Sequence, residues 1–233
     1  MSTGRLIGVG VGPGDPELLT LKAIRCIQEC PVLAWVAAAG RPSIARRIAA
    51  SHIPSDRREI NIALPMNPHP DLTRAAYDEG ASRIAAELEQ GDDVALLCEG
   101  DPLLYGSFIQ FLGRLGASYP SLVVPGITSV SAAAAAARLP LVWRSRTLVI
   151  VPATLPEDLI EDRIRQADTA AILKVGHRLP ALRAMLQRLG LLERAILVER
   201  ASTTDERVLP LADAQAGEAP YFSLLLVRAG GGR

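Results

Sequence analysis

The chain has 233 residues, 49% of them hydrophobic and 21% charged, with 25 basic residues balanced by 25 acidic ones. That length suits one large or two small domains around a substantial core, and zero net charge excludes a nucleic-acid binder that works by bulk electrostatics. Only two of the cations are lysines, Lys22 and Lys174; the rest are arginines, which take carboxylates and phosphates bidentately.

The opening "MSTGRLIGVG" is too short and too glycine-rich for a signal peptide, and "RLIGVGVG" (5–12) alternates into a short strand. "DPELLTLKAIRCIQEC" (15–30) carries Leu18, Leu19, Leu21, Ile24 and Ile27 at helical spacing. Asp15 is the expected N-cap of that helix, with Pro16 as its first residue. Cys26 and Cys30, one turn apart, read as core thiols. With Cys98 they make an odd count without a CxxC pair, which implies a reducing, cytoplasmic setting.

"PVLAWVA" (31–37) reads as a strand, "SIARRIAASHI" (43–53) as a short amphipathic helix, and "REINIALPM" (58–66) as a strand running into the proline-rich loop "PMNPHPD". "LTRAAYDEGASRIAAELEQG" (72–91) is a long helix with a glycine stop. "DVALLC" (93–98) is a buried strand, "YGSFIQFLGRLG" (105–116) a helix, and "SLVVPG" (121–126) closes the first half.

The second half opens with "ITSVSAAAAAARLPL" (127–141), a helix of very small side chains stopped by Pro140. Then come "TLVIVPA", "PEDLIEDRIRQA", "TAAILKVG", "RLPALRAMLQRLG", "RAILVERA" and "YFSLLLVRA", again alternating strand and helix, and a frayed tail "AGGGR". The fold class is therefore α/β, in two α/β domains: residues 1–125 around a mostly parallel sheet and 126–233 around a mixed one. No apolar run reaches the roughly 18 residues of a membrane span. His52, His69 and His177 are scattered, without metal-ligand spacing.

The glycine loop "GVGVGPGDPELLTLKA" (8–23) invites a dinucleotide reading and fails it. From Gly8 the sixth position is Pro13, and from Gly10 it is Asp15. Neither frame gives GxGxxG, and no GK[ST] follows. Pro13 moreover removes a backbone donor that a phosphate cradle needs. At the other strand end, "CEGDPLLYGSF" places Glu99 and Asp101 at the carboxyl edge, where ligands of open α/β sheets bind. Asp101 reads either as a turn and cap residue or as a ligand-facing carboxylate.

Together, "GVGPGDPELLTLKA", "CEGDPLLYGSF" and "VPGITSVSAA" resemble, in order and spacing over nearly the whole chain, the tetrapyrrole methylase family. "GRPSIARRIA", "ILKVGHRLPALR", "LVERAST" and "APYFSLLLV" strengthen the likeness to its members in cobalamin synthesis. The resemblance implies methyl transfer from S-adenosylmethionine to a ring carbon of a carboxylate-rich reduced tetrapyrrole, metal-free or cobalt-loaded, in an interdomain cleft. It implies cofactor contacts by Pro13, Glu99, Gly100, Asp101 and Leu104, and by Thr128, Ser129, Val175 and Ala201. Asp101 is the candidate catalytic base. Arg41, Ser43, Arg46 and Arg47, with Tyr105, Lys174 and His177, are the candidate substrate contacts. It also implies a cytoplasmic homodimer, with neither nucleic-acid nor membrane partners. Diphthine synthase and ribosomal-RNA ribose methylases share the implied fold.

Overall fold

A computed structural model describes residues 3–65, 69–215 and 217–230. Met66 in the proline-rich loop and the last three residues of the "AGGGR" tail lie outside them, so the expectations for those stretches do not bear on the structure. The chain divides into two units, Met1–Thr128 and Ser129–Arg233.

In the first unit, apolar runs alternate with amphipathic helices. They are β1 (Leu6–Gly10), α1 (Leu21–Glu29), β2 (Val32–Ala38), α2 (Ile44–Ala49), β3 (Arg58–Leu64), α3 (Pro70–Glu89), β4 (Val94–Cys98), α4 (Phe108–Leu115) and β5 (Ser121–Val124). The strands pair in the order β3-β2-β4-β1-β5, and every pair is parallel. Strand alternation sorts the side chains. Ile7, Val9, Ala95 and Leu97 face α1 and α2, while Leu6, Val94 and Leu96 face α3 and α4.

This sorting creates the one topological feature that matters for function. β1 and β4 are neighbours. The chain leaves β1 through α1 on one face and leaves β4 through α4 on the other. Their carboxyl ends therefore diverge, forming a topological switch point, where open α/β sheets bind ligands.

The second unit contains α5 (Ser129–Ala136), β6 (Leu148–Pro152), α6 (Glu157–Arg165), β7 (Thr169–Leu173), α7 (Leu179–Arg188), β8 (Ala195–Glu199), β9 (Arg207–Pro210) and β10 (Ser223–Arg228). The order is β6-β7-β10-β8-β9. β6 and β7 are parallel, and β10 runs antiparallel to β7 and to β8. β10 is central because "LLLV" supplies side chains for both faces: Leu225 and Val227 join the core beneath α6 and α7, and Leu224 and Leu226 the core beneath α5.

Four local expectations need correction. Asp15 caps only a 3-10 turn, Pro16–Leu18, by accepting from Glu17 N at 2.8 Å; the helix proper starts at Leu21 under Thr20, whose hydroxyl accepts from Ala23 N. The alanine helix ends at Ala136, before Pro140 can act: Leu139 N donates to Ala134 O (2.9 Å) and Arg138 N to Ala135 O (3.0 Å). That is a Schellman stop with Arg138 at φ 51 in the glycine position. α4 begins at Phe108 rather than Tyr105, since Tyr105 has φ 56. β9 was not foreseen; "RVLP" is four residues, largely exposed, and pairs with β8 alone. Among the described residues no helix is long and apolar enough to cross a membrane, and no cluster of His, Cys, Asp and Glu could hold a metal.

Candidate active site

The two loops at the switch point are stitched together. Val11 N donates to Cys98 O at 2.9 Å, and beyond it Gly100 N donates to Gly12 O at 2.8 Å and Gly12 N to Gly100 O at 3.3 Å, an isolated antiparallel bridge past the parallel ladder. Gly12 and Gly100 both sit at left-handed φ, 78 and 66, which an L side chain adopts only at a cost. The loop after β5 packs against both. A Cβ on Gly126 would lie 2.0 Å from Gly100 O and 2.8 Å from Gly10 Cα. These glycines thus bring three backbones into contact with one another.

Asp101 ties the same loops by its side chain. Oδ2 accepts from Gly126 N at 3.1 Å and Oδ1 from Leu103 N at 2.9 Å. The first bond spans two strand ends and the second shapes the turn into α4. Glu99 turns the other way: its Oε1 accepts from Ala45 N at 3.0 Å, in the first turn of α2, beside the Ser43 hydroxyl that accepts from Arg46 N. Burial pushes the Glu99 carboxyl above the usual carboxylate range, and the Ala45 N–H opposes the shift. Cys98, directly before this loop, is buried, and that burial raises its thiol to about 12, so it stays neutral. Cys30 is likewise buried and raised to about 12 by desolvation; Cys26, expected in the core, is only half-buried.

The switch-point edge of the first unit therefore gathers Glu99, Gly100, Asp101 and the Gly12–Pro13 turn, followed by Leu104 and Tyr105. Tyr105 is 45% exposed. Thr128 ends the first unit and Ser129 opens α5 in the second.

Through Glu99 this edge is connected to an open groove of about 430 Å³ on the same unit, lined by Trp35, Arg41, Ser43, Arg46, Arg47 and Asn61. It gathers four of the expected substrate contacts. Arg46, however, is engaged: its Nη2 and Nε bind the two oxygens of Glu59 at 2.8 and 3.1 Å, and its guanidinium lies 5.4 Å from the Trp35 ring centroid. Trp35, Glu59 and Asn61 were not anticipated. Trp35 hides in an apolar run, and Asn61 becomes its neighbour only through the β2–β3 register.

In the second unit, β6, β7 and β8 end at one edge. Buried Val175 follows β7 and buried Ala201 follows β8. Lys174 (φ 59), Arg200 (φ 49) and Ser202 (φ 63) are all left-handed there, without being glycine. Lys174 and His177 are exposed, His177 in the 3-10 turn Gly176–Arg178. Ala132 and Ala133 of α5 are buried against the second sheet.

Comparison with known proteins agrees with this architecture. Residues 5–215 match the family model described as Tetrapyrrole (Corrin/Porphyrin) Methylases. The chain is 43% identical over 97% of its length to a Mycobacterium bovis protein named cobalamin biosynthesis protein CobIJ, of which it spans 46%, about half. It is 40% identical to a Sinorhizobium protein named precorrin-2 C(20)-methyltransferase, covering 97% of this chain and 96% of that one. Among solved structures, uroporphyrin-III C-methyltransferase from Thermus thermophilus, complexed with S-adenosyl homocysteine, aligns with a TM-score of 0.69 at 29% identity, covering 96% of this chain and 97% of that one. A match across both sheets and the bridged glycine loops leaves one conclusion: the chain belongs to the tetrapyrrole (corrin/porphyrin) methylase family.

Proposed function

We propose that this chain is an S-adenosylmethionine-dependent methyltransferase that methylates carbon 20 of precorrin-2 in cobalamin biosynthesis. The observation that carries the substrate assignment is the likeness to the Sinorhizobium protein over nearly the full length of both chains. A cytoplasmic homodimer is part of the same reading.

The site fits a sulfonium donor. Such a donor needs walls that are polar yet do not compete as nucleophiles. Both oxygens of Asp101 and one of Glu99 are held by backbone N–H groups, and the nearby thiol of Cys98 is kept neutral. When bound, S-adenosylmethionine supplies an electrophilic methyl group for in-line displacement, a reaction in which positioning is worth about 7–11 kcal/mol. The residues proposed to hold it are Pro13, Glu99, Gly100, Asp101, Leu104, Thr128, Ser129, Val175 and Ala201. Asp101, fixed by two donors and retaining a free lone pair on each oxygen, is assigned the proton lost from the methylated carbon. Tyr105, Lys174 and His177 complete the proposed substrate contacts with the arginine groove.

The test is incubation with metal-free and with cobalt-loaded precorrin-2 and a labelled methyl donor, reading mass and methylated carbon by NMR. One methyl at carbon 20 is expected. A methyl at another carbon, or none on either substrate, overturns the assignment.

A further inference from the structure

The arginine groove contains three guanidiniums in different electrostatic states. Arg46 is neutralised by a bidentate carboxylate, Glu59, and laid over Trp35. Arg41 and Arg47 are exposed and have no ion-pair partner among the described residues. Arg47 stands next to Arg46 on α2, and Arg41 precedes the Ser43 cap of that helix. The Arg46–Glu59 fork ties α2 to β3, and the Glu99–Ala45 bond ties it to β4. Between them these bonds fix the helix that presents Arg47 and the cap that follows Arg41.

We infer that the groove recognises a pair of carboxylates of one ligand through Arg41 and Arg47, while Arg46, locked by Glu59 and Trp35, is a positioning residue and not a ligand contact. This deepens the reading above and rests on it for the identity of the ligand, a carboxylate-rich tetrapyrrole. Glu59 occupies the Nε/Nη2 fork of Arg46 and cancels its charge, so Arg46 offers a second carboxylate hydrogen bonds without net attraction, whereas Arg41 and Arg47, with no ion-pair partner among the described residues, can each take one carboxylate with full charge. Glu59 also sets the field: removing its charge leaves three uncompensated cations in the groove instead of two.

The experiment uses the full chain and uroporphyrin III, a stable octacarboxylate porphyrin, with binding followed by fluorescence at low and high salt and a tetracarboxylate porphyrin as reference. The parent protein is expected to bind the octacarboxylate more tightly than the tetracarboxylate. Arg41→Gln with Arg47→Gln, both exposed and without an ion-pair partner among the described residues, is expected to weaken binding at least about tenfold and flatten the salt dependence. Glu59→Gln is expected to tighten binding a few-fold and steepen the salt dependence, which a purely structural Arg46–Glu59 pair would not do. The inference is overturned if the double variant binds as the parent does, if the parent does not prefer the octacarboxylate, or if Glu59→Gln weakens binding while Arg46→Gln alone costs as much as the double change. Methyl transfer to precorrin-2 is read separately. Its absence, with porphyrin binding lost in the double variant, removes the assigned reaction and keeps the groove. Its presence, with an unchanged KM in the double variant, removes the groove and keeps the reaction.

Discussion

The carboxyl edges of the two sheets solve the same turn problem with different residues. In the first unit the bridged loops use glycine at left-handed positions, Gly12 and Gly100; in the second, Lys174, Arg200 and Ser202 hold that conformation. At Gly12 a Cβ would still have 3.3 Å to its nearest neighbour, Leu18 O; the glycines that space dictates are the next ones along, Gly10 and Gly126, neither left-handed, where other backbones approach to within 2.0–2.8 Å of where a Cβ would be and no side chain fits. The turns of the second unit carry side chains at left-handed positions, and these cost about 1–2 kcal/mol each. Handedness alone therefore does not demand glycine; contact between backbones does.

Gly126→Ala is the sharpest way to break that contrast. Its methyl group would collide with Gly100 O, and a loss of about 3 kcal/mol or more is expected, with loss of methyl transfer. Denaturant unfolding measures it, and a change under about 0.5 kcal/mol would contradict the backbone-contact account.

Asp101→Asn comes next. An amide in place of one carboxylate oxygen turns a donor toward Gly126 N or Leu103 N. A loss of about 1–3 kcal/mol follows from the unsatisfied pair, together with a fall in turnover of about 10²–10⁴-fold if Asp101 takes the proton. Turnover that holds steady while stability drops would leave the residue as a clamp between strand ends.

Glu99→Gln has a smaller effect that depends on pH. Folding raises the Glu99 carboxyl by burial, so the folded state holds its proton more tightly than the unfolded chain. The stability this contributes is fully present below the unfolded value, about 4.3, and is lost as pH rises through the raised folded value. Gln stays neutral and keeps an acceptor for Ala45 N. The variant is expected to match the parent in acid and exceed it near neutrality, as compared by unfolding at both pH values; a gap that does not change with pH would show that burial of the charge is not the cause.

Arg200→Gly is the mildest. It relieves a left-handed side chain at φ 49 but adds unfolded-state entropy, for a net gain of about 0.5–1 kcal/mol in thermal or denaturant unfolding. A loss instead would mean that the Arg200 side chain makes up for its own strain.

Most strands were legible because they are short apolar runs between turn residues: "VALLC" and "LIGVG" are buried at every position. β9 was not, since an exposed four-residue edge carries no hydrophobic period. Helix starts failed where two signals compete. Asp15–Pro16 and Thr20 both make good caps, and only the extended backbone at Leu19 gives the 3-10 turn to one and the helix to the other. The Schellman stop at Arg138 escaped because its signal is normally a glycine.

At the site, sequence by itself determined the parts that depend on residue type in local order: two carboxylates and glycines at a strand's carboxyl end, a failed dinucleotide frame, and arginines clustered before and within α2. Which of them act together depends on neighbours far apart in the chain. That β1 lies beside β4 makes the switch point. That Gly126 meets Asp101 and Gly100 turns a strand-end carboxylate into a clamp. That β3 lies beside β2 sets Glu59 and Trp35 on Arg46, while Arg41 and Arg47 have no ion-pair partner among the described residues. Strand order and register are set by how the whole apolar set packs, so the charge state of a single arginine is decided there and not by its local sequence.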